Sequence, residues 1–184
     1  MNKSVWIIIA VIAVMSVAMV SSYNNLVTMN ENVNGKWSQI ENQLQRRADL
    51  IPNLVNTVKG YAIHEQQAIQ AVADARAKLA GAQGPVAKAE ANGELNNALS
   101  RLMVIAENYP NLKADKNFRA LMDELSGTEN RLAVARKDYN ESVQGYNTAI
   151  RSLPASLYAS AFGFGPKEYF KADEGAKQVP QVKF

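Results

Sequence analysis

The chain of 184 residues contains no cysteine and a single histidine. Without cysteine there is no disulfide, no thiolate metal site and no cysteine nucleophile. One histidine, His64, cannot supply the histidine pairs of zinc hydrolases or of carboxylate-bridged metal bundles. His64-Glu65 starts like a zinc-peptidase helix, but the second histidine would have to stand at position 68, which is Ala. A serine triad has no base besides His64. Phosphate-cradling loops are missing too, because Gly163-Phe164-Gly165 has neither the spacing nor the following helix that such loops need. Nor is there much charge of one sign: 20 basic side chains face 17 acidic ones, and Lys3 is set apart at the amino end. Phosphate binding needs clustered basic charge, so no nucleic-acid partner is expected.

What is present begins with hydrocarbon. Val5 to Val20 is broken only by Ser16. Trp6 and Tyr23 bracket the run about 26 Å apart along a helix, close to the roughly 30 Å of a bilayer core. Aromatic side chains favour the two membrane interfaces, so Trp6 and Tyr23 read as the interface residues of a single-pass span. A cleaved signal peptide ending near Val20-Ser21-Ser22 is the alternative. Retention is favoured because the run passes into a helical pattern without a loop. Lys3 precedes the span and no charge follows until Glu31. The positive-inside bias then puts the body outside the cytoplasm, on an inner (cell) membrane.

From Leu26 onward apolar residues recur every three or four positions: Leu26, Val33, Trp37, Ile40, Leu44, Ile51, Leu54, Val58, Ala62, Ile69, Val72 and Leu79. Such a seam marks a long helix in a coiled-coil-like bundle. Asn30 and Arg47 occupy seam positions. The phase survives Pro52, which predicts one helix over about 24–80, kinked at the proline. Gly81 to Gly93 read as a mobile, partly helical connection. A second stripe, Leu95 to Tyr109, predicts a helix over about 94–108 that Pro110 stops. A third, Phe118 to Ile150, predicts one over about 115–152 with Asp115 or Asn117 as its cap. The tail, 154–184, is rich in aromatics and is expected to pack on the bundle rather than stay disordered. Gly60, Gly127 and Gly145 fall inside predicted helices, where each costs roughly 1 kcal/mol against Ala unless close packing recovers it.

The residues around the kink form the candidate interaction site: Arg46, Arg47, Asp49 and Pro52, then Lys59, Tyr61, His64 and Glu65. The plain reading is salt bridging and hydrogen bonding across the bundle. The sharper one is a binding surface built on a bent helix. Exposed ion pairs contribute only about 0–1 kcal/mol each, so such a cluster matters only if it is buried or partnered.

Several ordered blocks resemble the LemA family: Tyr23-Asn24-Asn25-Leu26-Val27, Trp37-Ser38-Gln39-Ile40-Glu41, Arg46 to Val55, and Lys59-Gly60-Tyr61-Ala62-Ile63-His64-Glu65. So do Glu107 to Ala114, Phe118-Arg119-Ala120-Leu121, Gly127 to Arg131, Ala135 to Asn140, Phe162-Gly163-Phe164 with Tyr169-Phe170, and the closing Pro180 to Phe184. The resemblance implies the same architecture as the periodicity: all-α, with an amino-terminal transmembrane helix (1–23) followed by an antiparallel bundle of long helices (24–153). It implies little about function; no enzymatic activity and no cofactor are expected, because the residues offer no nucleophile–base or metal constellation. The expected role is a membrane-anchored scaffold or structural protein of the bacterial cell envelope. Its partners would be the lipid bilayer, further copies of itself as a homo-oligomer, and other envelope membrane proteins. The alternative is a non-catalytic adaptor or regulator of a membrane-bound enzyme such as a metallopeptidase.

Overall fold

A computed structural model describes residues 3–62 and 64–171. The described residues are all-α. Five helices follow in order: α1 (Lys3–Lys59), α2 (Gln66–Gly81), α3 (Gly84–Glu107), α4 (Pro110–Ala114) and α5 (Lys116–Ala149), then one 3₁₀ turn at Ala155–Leu157. No strand occurs among them. The chain forms two compact units. One comprises α1 as far as Trp37 with Asp138–Glu168, and the other Ser38–Lys137 with the chain from Tyr169.

In the first unit, α1 and α5 run antiparallel. Met29 lies against Gly145, Asn32 Nδ2 donates to Ser142 Oγ (3.3 Å), and Lys36 pairs with Asp138 (3.1 Å). Each step forward in α1 is thus a matching step back in α5. The interface buries Leu26 and Val33 with Tyr139, Val143, Tyr146 and Ile150. Full burial of each such aliphatic side chain contributes about 1.5–3 kcal/mol. A Cβ at Gly145 would meet Met29 Cε at 3.4 Å, an ordinary van der Waals contact, so this glycine is not forced by close packing.

The tail folds back onto this pair. Asn147 grips it through both ends of its amide, Nδ2 donating to the Lys167 carbonyl and Oδ1 accepting from the Lys167 amide, each at 2.8 Å. Tyr139 Oη donates to the Glu168 carbonyl (2.8 Å) while its ring leans on Trp37, centroids 5.4 Å apart. Phe162 and Phe164 both set their rings edge-on to Tyr23 at 5.5 Å. The part of the predicted tail beyond Lys171, Phe184 included, lies outside the described residues, as do Met1 and Asn2 of the predicted anchor.

In the second unit, the remainder of α1, α2, α3 and the first part of α5 enclose a core of Ile40, Leu44, Ile51, Leu54, Val72, Leu79, Leu95, Leu102, Leu125 and Leu132. Phe170 is buried here beneath the Arg136 guanidinium, 5.8 Å from the ring centroid. Two expectations are corrected. The helix predicted over 24–80 ends at Lys59, and the chain turns through Gly60–Glu65 before α2 starts. The seam keeps its phase through Val58, Ala62 and Ile69, so periodicity alone does not reveal the turn. Folding α2 back on α1 lets both seams be buried within one chain. Gly60 sits at the end of α1, its amide donating to the Thr57 carbonyl (3.2 Å). The second correction concerns Gly81 to Gly93. Only Ala82 and Gln83 separate α2 from α3, which begins at Gly84 in the left-handed region (φ 75°) with Pro85 in its first turn. Asn92-Gly93, which reads locally as a turn, is buried inside α3 because that face packs against α2.

Burial, with the nearby Glu168 carboxylate adding to it, pushes the Tyr139 hydroxyl from its ordinary 10 up to about 12. A folded value above the unfolded one means that this stabilisation is complete below pH 10 and is lost as pH rises to about 12. Urea midpoints measured from neutral pH up to about 12 should therefore fall in the parent and fall less steeply in Tyr139→Phe. Equal slopes would show that the hydroxyl is not held in the folded state.

Candidate functional site

Arg47 lies four residues from Ile51 and three from Leu44 on one face of α1, so its side chain must enter the core of the second unit. It is 2% exposed. Its Nη1 forms an ion pair with Glu129 of α5, and its Nη2 donates to Asn96 Oδ1 of α3 at 2.5 Å. One buried cation thus joins α1, α3 and α5. Its Nε has no hydrogen-bond partner among the described residues. Burial, and then the like charge of Arg136, lower the guanidinium from 12.5 to about 10. It remains protonated at neutral pH, and the cost of desolvating it is offset only while Glu129 and Asn96 stay in place.

One turn further, Pro52 lacks the amide that would bond the Ala48 carbonyl. Ala48 is buried, so this acceptor needs a donor. Arg76 of α2 supplies it: Nε donates to the Ala48 carbonyl at 2.7 Å. Helix α1 runs through Pro52 without ending there. The proline therefore turns a helix-internal hydrogen bond into a bond between helices, with Arg76 as the donor.

The other predicted site residues divide into two further groups. Arg46 Nε donates to Glu124 Oε1 (2.8 Å), and Arg131 Nη2 reaches the same oxygen (2.8 Å). The Arg46 hydrogen bond is the main reason that the Glu124 carboxyl lies below its usual range. Asp49 accepts from Gln45 Nε2 on its own helix (2.8 Å). Tyr61 and Glu65 belong instead to the turn after α1. Tyr61 Oη donates to Asp115 Oδ2 (3.0 Å), and Tyr109 Oη to Glu65 Oε1 (3.1 Å). Asp115 Oδ1 also accepts the Phe118 amide (2.9 Å), which makes it the N-cap of α5. That amide, with Tyr61 adding to it, lowers the Asp115 carboxyl. The same pairings raise the Tyr61 and Tyr109 hydroxyls. Lys59, His64 and Pro52 are exposed.

Sequence reasoning missed Asn96, Glu129, Arg76, Glu124 and Tyr109. A cation on a seam demands an acceptor somewhere, but its identity depends on which helices come together. Among the described residues no group of three or more histidine, aspartate or glutamate side chains is placed to hold a metal.

The amino-terminal residues have a different character. Trp6 and Tyr23 are exposed, and so is every described side chain from Ile7 to Val20. The most apolar stretch of α1 reaches a mean hydropathy of 2.2 with none of it buried, long and apolar enough to cross a membrane.

The family model described as the LemA family matches residues 36–184. The chain belongs to the LemA family. The match takes in the Arg47 hub, the Pro52 turn and the Tyr61–Asp115 pair, and starts beyond the apolar run. This LemA protein is also similar to magnetosome protein MamQ 2 of Paramagnetospirillum magneticum, 31% identical over 88% of this chain and 71% of the relative. Magnetosome protein MamQ of Magnetospirillum gryphiswaldense is 32% identical over 80% of this chain and 64% of its own. Protein LemA of Metamycoplasma hominis is 21% identical over 82% and 69% respectively. None of these names carries an enzymatic activity.

A double-mutant cycle tests the proline turn. Arg76→Ala should cost about 1–3 kcal/mol, the penalty for a buried unsatisfied carbonyl. In a Pro52→Ala background, where an amide returns to Ala48, the same change should cost much less. Equal losses in both backgrounds, read by urea denaturation, would separate Arg76 from the proline.

The hub gives a second test. Arg47→Ala should destabilise by about 1–3 kcal/mol, because it leaves the half-buried Glu129 and Asn96 without their donor. Replacing both partners, Arg47→Met with Glu129→Gln, should recover more than half of that loss in thermal melts.

Proposed function

We propose that this LemA protein is a membrane-anchored helical scaffold of the bacterial cell envelope, self-associating and without catalytic chemistry. The observation that carries this reading is the uncovered apolar start of α1, which leads without interruption into a helical body. A span with Trp6 and Tyr23 at the two interfaces uses that surface, which water would leave unfavourably exposed. Two polar groups at the centre of the body are engaged within it: Arg47 pairs with Glu129 and Asn96, and Arg76 serves the Ala48 carbonyl. Neither arrangement forms a nucleophile–base pair. Two relatives are named for a cellular structure rather than for a reaction, which also supports a structural role. Lys3 before the span and the lack of charge up to Glu31 favour a body outside the cytoplasm. Exposed Met103 and Val104 on α3 offer apolar surface for contact between copies.

Native mass spectrometry of the chain extracted from its own membrane tests all three elements. The expected result is a homo-oligomer of chains that keep the apolar run. A mature chain starting near Ser22 or Tyr23 would overturn the anchor. A single copy bound stoichiometrically to an enzyme would replace the scaffold with the adaptor reading.

A further inference from the structure

The segment after α5, Leu153 to Phe164, contains no charged residue. Within it Ala155, Tyr158 and Ala159 are buried, while Leu153, Leu157 and Phe162 are 76%, 78% and 63% exposed. A loop that is apolar on its buried and on its outward side is unusual for a surface facing water. Its position explains it. Phe162 sets its ring edge-on to Tyr23 (5.5 Å) and to Tyr158 (5.9 Å), and Phe164 sets its own edge-on to Tyr23 (5.5 Å). Met19 and Val20, the last turn of the apolar run, join Tyr23, Tyr158 and Phe162 around an open groove of about 240 Å³. The loop therefore stands at the end of the apolar run, beside the aromatic residue that closes it.

We propose that Leu153 to Phe164 is a second membrane contact, a foot that inserts into the interface of the leaflet from which α1 emerges, with lipid acyl chain filling the groove beside Tyr23. The proposal rests on the reading of α1 as the anchor. Four arguments favour lipid as the occupant. The groove is continuous with the apolar run that would cross the bilayer. Tyr23, Tyr158, Phe162 and Phe164 together make an aromatic belt of the kind that interfaces attract, although three of the four lie more than 130 positions away in the chain. The segment lacks charge, and Arg151 stands exposed just outside it, where phospholipid headgroups would lie. With two points of contact the first unit is held by more than a single helix, which restricts its tilt and rotation about α1.

The absence of cysteine makes a depth measurement direct. Leu153→Cys and Leu157→Cys change exposed side chains only, and each gives one site for a nitroxide label. Val14→Cys, in the middle of the apolar run, and Val134→Cys, exposed on α5, serve as references. The full chain would be reconstituted in phosphatidylcholine–phosphatidylglycerol bilayers, and collision rates with oxygen and with a water-soluble nickel chelate measured by electron paramagnetic resonance. The expected result is an oxygen-to-nickel ratio at positions 153 and 157 several-fold above that at 134, on the side of the value at 14. Nickel-favoured collisions at 153 and 157, with oxygen favoured at 14, would overturn the foot and leave the anchor standing. Exclusion of both agents at 157 would show cover by protein and overturn lipid as the occupant. Nickel-favoured collisions at 14 would overturn the anchor itself, and the foot with it.

Discussion

A guanidinium sealed in a helical core has to be answered by acceptors from whatever surrounds it. Arg47 is answered by Glu129 on α5 and Asn96 on α3. A hydrocarbon seam would be satisfied by any close packing, and could slide by a turn at modest cost. A buried cation cannot, since each alternative register leaves it unpaired. Arg47 therefore fixes which turn of α1 lies beside which turns of α3 and α5, and the aliphatic layers above and below it follow.

Pro52 acts next to the same point. It removes one amide from α1, and α2 returns a donor through Arg76. The two arginines thus bind α1 to its three neighbours within the second unit within about one turn of helix. At the other end of that unit, Tyr61 with Asp115 and Glu65 with Tyr109 tie the turn after α1 to the start of α5 and the end of α3.

The first unit is held differently. Its pairing of α1 with α5 is mostly apolar and aromatic, and the tail closes it through the two hydrogen bonds of Asn147 and the hydroxyl of Tyr139. The uncovered apolar start of α1 belongs to this unit, and the aromatic groups gathered around Tyr23 stand at its end.

The amino-acid sequence by itself determined the all-α class, the apolar run, the third stripe that became α5 and the buried position of Arg47, because each depends on spacing along one helix. Only the tertiary structure decided the rest. Where the first seam turns back is invisible to periodicity, since Val58, Ala62 and Ile69 stay in phase across the break. Asn92-Gly93 has the local preference of a turn, yet packing against α2 keeps it helical. The donor to the Ala48 carbonyl comes from 28 positions away, and the rings around Tyr23 from more than 130. A sequence states what each helix needs to bury or satisfy; the partner that does so is chosen when the helices pack, because hydrogen bonds and ring contacts depend on distance in space rather than along the chain.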